Sequence, residues 1–177
     1  RFVLSLSAEA LAAAEFPLVI DPVFSPATVT LAPTAQAGAR FGEAVAGVGD
    51  VNGDGFEDLL VGAPGFTGAA SGEGRAYLFL GGASGLSTTA AWTADPTDQA
   101  GAEFGARVAG PGDVNGDGFT DVLVAAPRWD GTGADEGRVY LYLGSAGGLG
   151  ATPAAVLDPT DQAGARFGEG LSGAGDV

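Results

Sequence analysis

One nine-residue pattern, D-V-N-G-D-G-F-x-D, occurs twice in this sequence, 63 residues apart. Its first, third, fifth and ninth positions carry side-chain oxygens, and alternate residues of a tightly turning loop point toward one centre. The glycines between them permit the backbone angles that such a turn needs. Three carboxylates gathered in this way would repel one another unless a cation lay among them. The oxygen-bearing residues are Asp50, Asn52, Asp54 and Asp58 in the first string and Asp113, Asn115, Asp117 and Asp121 in the second.

Calcium is the cation that this set of donors fits best. It accepts about six to eight oxygen ligands in flexible geometry, whereas magnesium prefers fewer protein oxygens and a tighter octahedron. The backbone carbonyl of the seventh residue, Phe56 or Phe119, is available as a further ligand. The strings therefore predict two Ca²⁺ sites.

Other interpretations of the strings are weaker. An EF-hand needs a bidentate glutamate at the twelfth position, where this chain has Val61 or Val124, and its flanking segments are helical. Dockerin modules carry similar strings on helices and much closer together. A turn rich in Asp, Asn and Gly that binds no ion is the remaining alternative. The carboxylate at the ninth position of both copies favours a metal site over such a turn.

The composition excludes several kinds of function. The chain has 22 acidic residues against seven arginines and no lysine, and its net charge of −15 would repel the phosphate backbone of a nucleic acid. It has no histidine and no cysteine, so imidazole and thiolate chemistry is absent. No apolar run approaches the roughly 18 residues of a membrane-spanning helix. We therefore expect no catalytic residues, no organic cofactor, no nucleic-acid partner and no membrane insertion.

An internal repeat extends well beyond the two strings. Residues 36–64 and 99–127 align without a gap, and the Phe-Gly pairs that begin at Phe41, Phe104 and Phe167 keep the same 63-residue spacing. The repeat predicts three units, at about 36–98, 99–161 and, incomplete, 162–177.

Each unit contains four candidate strands and no helical periodicity. In the first unit they lie at about 39–47, 58–63, 74–80 and 88–94, separated by Gly, Pro and Asp. Four strands in each repeat are typical of a β-propeller blade, and the coils of a parallel β-helix are much shorter than 63 residues. We predict an all-β fold of four-stranded antiparallel blades, with about two full blades and part of a third.

The repeat resembles the FG-GAP repeat, the blade unit of the β-propeller in integrin alpha subunits. Phe41-Gly42, Phe104-Gly105, Gly62-Ala63-Pro64 and the two strings carry this resemblance, and the second unit departs from it at Ala125. The similarity covers residues 26–177. It implies calcium in the loop between the first two strands of each blade, held by the residues of each string. The third unit has only Asp176, so no third site is assigned.

Two further sets of residues have structural explanations. Asp95 with Asp98, and their repeats Asp158 with Asp161, could be taken for catalytic carboxylate pairs, but both lie in a repeated Asp-Pro-Thr-Asp turn. Trp92 and Trp129 could form a binding platform, although packed aromatic side chains are the better interpretation.

The function that these features predict is a calcium-binding, non-catalytic propeller module of a secreted or cell-surface protein. It would act in adhesion or bind a protein or glycan, and its open blade faces would pair with further blades or with a second copy. The alternatives are the non-catalytic portion of a larger secreted hydrolase or lyase, or a self-assembling scaffold. Residues 1–25 lie outside the repeat and are expected to end a preceding domain or to cap the first blade.

Overall fold

A computed structural model describes residues 30–159 and 161–173 of the chain. The predicted segment 1–25 and Asp176 lie outside these residues. The described residues form eight strands and no helix. The strands are β1 (Ala44–Gly49), β2 (Asp58–Ala63), β3 (Arg75–Phe79), β4 (Trp92–Ala94), β5 (Arg107–Gly112), β6 (Asp121–Ala126), β7 (Arg138–Tyr142) and β8 (Ala155–Leu157).

The strands form two four-stranded antiparallel sheets in chain order, β1-β2-β3-β4 and β5-β6-β7-β8. We call them blade 1 and blade 2. Each is a simple meander, as expected for a propeller blade. The predicted all-β fold of four-stranded antiparallel blades is therefore confirmed.

The first and last strands of blade 1 are shorter than the sequence pattern indicates. Strand β1 begins at Ala44 because the preceding residues form a turn, in which the Glu43 amide donates to the Arg40 carbonyl at 3.1 Å. Arg40 and Gly42 have φ angles of 57° and 87°, which a strand does not allow. Strand β4 covers only Trp92–Ala94.

The two blades pack face to face around a common apolar core. Blade 1 contributes Leu60 and Leu78, and blade 2 contributes Val124 and Tyr140, all of them buried. The ring of Phe104, which precedes β5, lies between the sheets with its centroid 5.3 Å from that of Tyr140. Burial on both faces explains why these strands lack polar alternation.

The opposite face of blade 1 carries a second, smaller core. Val61, Tyr77 and Phe79 are buried there, and Phe41 covers them with its ring centroid 5.4 Å from that of Tyr77. Phe41 and Phe104 therefore occupy equivalent positions on successive blades.

The backbones of the two blades meet most closely where the Gly-Ala-Pro segment of blade 1 faces the Phe-Gly segment before blade 2. A Cβ placed on Gly62 would lie 1.9 Å from the carbonyl oxygen of Gly105, so only glycine fits. Beside this contact, Gly74 forms an isolated parallel bridge with Phe104. In blade 2, Ala125 replaces Gly62 and lies against Gly168.

Blade 2 exposes several large apolar side chains. Val114 is 52% exposed, whereas its counterpart Val51 is completely buried beneath blade 2. On the edge strand β8, Val156 and Leu157 are each 44% exposed. An edge strand with apolar side chains is a surface on which further chain can pair.

Replacing Gly62 with alanine is expected to lower the free energy of unfolding by about 3 kcal/mol, because the new methyl group meets backbone that cannot turn aside. Gly170→Ala is the matched control, since a Cβ there has no atom within 4 Å, and it should change stability by less than about 0.5 kcal/mol. Urea unfolding measures both variants. Equal stability of the two would contradict the close contact between the blades.

The exposed edge of blade 2 is expected to make the 177-residue chain self-associate as its concentration rises. Val156→Lys should reduce this association, because a charged edge strand disfavours pairing. Thr152→Lys adds the same charge outside the strand and should leave association unchanged. Light scattering over a concentration series measures this association. A monomer at every concentration would show that the edge of blade 2 does not mediate self-association.

Candidate functional site

The two aspartate strings lie at the same end of the two blades. Each connects the first strand of its sheet to the second, so that Asp50 follows β1 and Asp58 begins β2. Asp113 and Asp121 hold the same places at β5 and β6. The structure thus places all ten predicted residues in two equivalent loops.

The first aspartate organises each loop through its carboxylate. Asp50 Oδ1 accepts hydrogen bonds from the amides of Gly53 and Asp54 at 2.7 and 3.0 Å, and its Oδ2 accepts one from Gly55 at 2.7 Å. In the second loop Asp113 accepts the corresponding three bonds at 2.8, 3.1 and 2.7 Å. The near-identical distances show that the loop conformation is a property of the string itself.

The third and fifth residues are joined to each other. Asn52 accepts a bond from the Asp54 amide at 3.1 Å, and its side-chain nitrogen donates to Asp54 Oδ2 at 3.1 Å. Asp54 Oδ1 in turn accepts from the Phe56 amide at 3.0 Å. The second loop repeats the three bonds, at 3.1, 2.9 and 3.0 Å, among Asn115, Asp117 and Phe119.

The ninth residue is buried and links its loop to another part of the blade. Asp58 is 1% exposed, and its two oxygens accept the amides of Val51 at 3.0 Å and Gly81 at 2.8 Å. Asp121 is completely buried, and its oxygens accept hydrogen bonds from the amides of Val114 and Gly144 at 2.8 and 2.9 Å. The part played by the two glycines was not foreseen from the sequence, although they follow the third strand of each blade at the same spacing.

Two carboxylates of the first loop, those of Asp58 and Asp50, have pKa shifts in opposite directions. Burial raises the pKa of Asp58 above its usual value and outweighs the amides of Gly81 and Val51, while the charges of Asp54 and Asp50 raise it further. Burial also acts to raise the pKa of Asp50, but the amide bonds led by that of Gly55 outweigh it and lower the value. The negative charges of Asp54 and Asp50 therefore act on Asp58 in addition to its burial.

In the second loop, the hydrogen bond from Gly118 is the main reason that the pKa of Asp113 is lowered, against an opposing effect of burial. A lowered pKa in the folded state means that the ionised form favours folding. This stabilisation is present above the ordinary aspartate pKa, and it is lost as the pH falls through the lowered value.

The donor atoms suit a hard cation, although they are not gathered as a finished metal site. Within residues 30–159 and 161–173, no group of three or more acidic side chains is close enough to hold a metal ion. The reason is that Asp50, Asp54 and Asp58 each turn their oxygens toward amides of the loop and its neighbours. Asp50 Oδ1 accepts two bonds, but Asp50 Oδ2 and the oxygens of Asp54 and Asp58 accept one each, and their second lone pairs leave acceptor capacity for a cation.

The two loops also contact each other. The Thr120 amide donates to the Asp50 carbonyl at 3.0 Å, and the Ser145 amide donates to the Val51 carbonyl at 3.0 Å. The ring of Phe119 covers Gly53, where an added Cβ would lie 2.6 Å from a ring carbon. Phe119 and Thr120 of the second loop thus pack against the first loop. The preceding residues of the second loop, 113–118, are exposed.

The other polar and aromatic candidates serve the fold. Asp95 and Asp158 form ion pairs with Arg75 and Arg138 on the third strands of their blades. Trp92 is buried and donates from Nε1 to the Gly150 carbonyl at 2.9 Å. The ring of Trp129 is covered by the Arg138 guanidinium.

A glutamine at the start of each described blade also has a role that the sequence did not reveal. The side-chain amide of Gln36 bonds both the amide and the carbonyl of Thr67, at 2.7 and 2.8 Å. Gln99 makes the same pair of bonds with Asp130, at 2.6 and 2.9 Å. Their 63-residue spacing was the available signal, and the bonds fix the connection between the second and third strands.

Comparison with known families matches residues 41–79 and 104–142 to the FG-GAP repeat. Each match runs from the Phe-Gly pair through the third strand and includes one aspartate string. The chain carries two FG-GAP repeats. In this chain the repeats form two β-propeller blades with no helix among the described residues, and so no helix there could cross a membrane.

Relatives of this FG-GAP chain include integrin alpha subunits. It is 41% identical to mouse integrin alpha-IIb over 149 residues, 39% to human integrin alpha-IIb over 154 residues, and 38% to Xenopus laevis integrin alpha-4 over 134 residues. These alignments cover 80%, 80% and 76% of the chain, but only 14%, 14% and 12% of the respective relatives.

Replacing Asp58 with asparagine should lower the free energy of unfolding by about 2 kcal/mol in the presence of chelator. The amide nitrogen of asparagine would face the amide of Val51 or Gly81, leaving a buried donor without an acceptor. Glu57→Gln removes the same charge from the neighbouring exposed residue and should have little effect. Urea unfolding of both variants tests this, and an Asp58→Asn protein as stable as the parent would refute the bridging role.

Proposed function

We propose that this chain is a calcium-binding, non-catalytic β-propeller module of a secreted or cell-surface protein. In this role it acts in adhesion, through a protein or glycan ligand, in the manner that its resemblance to integrin alpha subunits implies. Residues 26–177 are the repeat region of this module.

The observation that carries this proposal is the repetition of one loop geometry in both blades. In each loop the same amides meet the same oxygens at distances that agree within about 0.2 Å. A turn that served only the chain reversal would not need three carboxylates, because their mutual repulsion opposes folding. A divalent cation would offset most of that charge.

The residues that would hold the first Ca²⁺ are Asp50, Asn52, Asp54 and Asp58, with the carbonyl of Phe56. Those for the second ion are Asp113, Asn115, Asp117 and Asp121, with the carbonyl of Phe119. Burial is the main reason that the pKa of Asp58 is raised, and a bound ion would relieve the repulsion from Asp54 and Asp50 that raises it further. Calcium then acts as a structural ion that keeps the loop end of the blades in one conformation.

The absence of His, Cys and Lys from the sequence supports the non-catalytic assignment. The buried acids Asp58 and Asp121 are bound to backbone amides, and the candidate pairs at Asp95 and Asp158 are paired with arginine. The apolar edge of blade 2 favours assembly as a second role, either with further blades or with a second copy.

Calcium is expected to bind at two sites and to raise the melting temperature. With a dissociation constant of about 10⁻⁴ to 10⁻³ M, each site would stabilise the fold by roughly 2.7 kcal/mol at a concentration 100 times that constant. Asp54→Ala and Asp117→Ala should each remove one bound ion. Isothermal titration calorimetry of the chelated protein counts the sites, and Mg²⁺ should substitute poorly.

Asp161→Ala is the control for these variants, because it removes an exposed carboxylate outside both loops. It should bind two ions with unchanged affinity. If the parent protein released or absorbed no heat with calcium and melted at the same temperature in excess chelator, the strings would be turns that bind no metal.

A further inference from the structure

The end of the blades opposite the aspartate loops carries clustered charges of both signs, including most of the described arginines. The Phe-Gly turns and the segments that follow the second strands meet there, because strands β1 and β5 begin at this end. They enclose a cavity of about 180 Å³ that is lined by four arginines and three glutamates: Arg40, Arg107, Arg128, Arg166, Glu43, Glu103 and Glu169. We infer that this arginine pocket binds the carboxylate of an acidic side chain on a protein ligand.

The concentration of positive charge is the first support for this inference. The chain has a net charge of −15 and only seven arginines, of which Arg1 lies outside the described residues. Of the other six, four line the pocket. Arg75 and Arg138 lie elsewhere, each paired with an aspartate. Most of the described arginines of this acidic chain therefore lie at one small cavity.

The pocket already holds one carboxylate between two guanidinium groups. Glu103 Oε1 lies 2.7 Å from Arg40 Nη2, and its Oε2 lies 3.4 Å from Arg128 Nε. Arg40 also contacts Glu43 at 3.1 Å. This arrangement shows the kind of group that the lining recognises, because the fork of donors on arginine matches a carboxylate.

The other two arginines, Arg107 and Arg166, have N–H donors available for a further ligand. Arg107 donates to the carbonyls of Ala106 and Glu169, at 2.7 and 2.9 Å, and makes no ion pair with any residue that the structure describes. Arg166 approaches Asp135 and Glu169 only at 3.9 and 4.0 Å. A guanidinium carries five donor hydrogens, so both groups can receive a further carboxylate.

Several positions at which the repeats carry different residues line this pocket. The residue before the Phe-Gly pair is Arg40, Glu103 or Arg166 in the three units, whereas the aspartate strings differ at only one position. Arg107 also breaks the repeat, since Ala44 occupies its place in the first unit. These departures from the repeat bring unlike charges together in one cavity, which suits recognition of a particular ligand.

A carboxylate fits these observations better than a sulfate or a phosphate. The Glu103 carboxylate is already held there, and the small cavity has room for a single acidic side chain. This inference rests on the proposed interaction role and specifies its ligand. It does not depend on calcium chemistry, because the aspartate loops lie at the other end of the sheets.

The test is an NMR titration of the calcium-loaded 177-residue chain, following the Nε–H signals of its arginines. The probes are sodium acetate and an N-acetylated triglutamate peptide, with sodium sulfate as the competing anion, all at constant ionic strength. Saturable shifts at Arg107 and Arg166, with little change at Arg75 and Arg138, are expected for acetate and for the peptide. Equal shifts at all arginines, or saturation by sulfate and not by acetate, would overturn the inference.

Variants make the test quantitative. Arg107→Gln and Arg166→Gln should each weaken peptide binding about tenfold, since each loses a charge-assisted hydrogen bond. Glu103→Gln should strengthen it severalfold by releasing Arg40 and Arg128. Arg75→Gln, outside the pocket, should bind as the parent does. Unchanged affinity in the first two variants, or weaker binding by Glu103→Gln, would refute the site.

A calcium titration of the same protein, first freed of calcium with chelator, separates the two proposals. Calcium binding with no specific carboxylate shift would reject only the arginine pocket. If the protein neither bound calcium nor showed a specific carboxylate shift, the calcium-binding module would be rejected as well. The melting temperature of each variant is measured first, so that altered affinity is read only from folded protein.

Discussion

The contact between Gly62 and Gly105 is the constraint on which the rest of this structure depends. Because neither residue has a side chain, the backbone of one blade lies directly on the turn that begins the next. Phe104 can then fill the space between the sheets, and its backbone reaches Gly74. The Phe-Gly pair of one repeat and the Gly-Ala-Pro segment of the preceding repeat are thus two halves of one contact.

Close stacking also determines where charge gathers. It places the two aspartate loops side by side, so that Thr120 bonds the Asp50 carbonyl and Val51 is buried. At the opposite end it brings Arg40 and Glu103 of different repeats within 2.7 Å. One end of the blades therefore carries the aspartate loops, each contained within its own blade, and the other carries the arginine pocket, which combines residues of different repeats.

The sequence was sufficient to predict the blades and the loops because both depend on local patterns. Asp50, Asn52 and Asp54 bond within five residues of themselves, and the strands are short apolar runs bounded by turns. Contacts between distant residues were not predictable in this way. Gly81 bonds Asp58 across 23 residues, and the arginine pocket combines side chains from three repeats. Arg40 was expected in a strand, but its positive φ places it in the turn that reaches the pocket.

The central claim is that the two blades form one cooperative unit, and native-state hydrogen exchange tests it most directly. The amides of Phe104, Thr120 and Ser145 bond across the blades, to Glu73, Asp50 and Val51. We predict that they exchange with the same opening free energy as the amides of the central strands β2 and β6. Rapid exchange of the three, while the strand amides remain protected, would show that the blades open independently and would contradict this account.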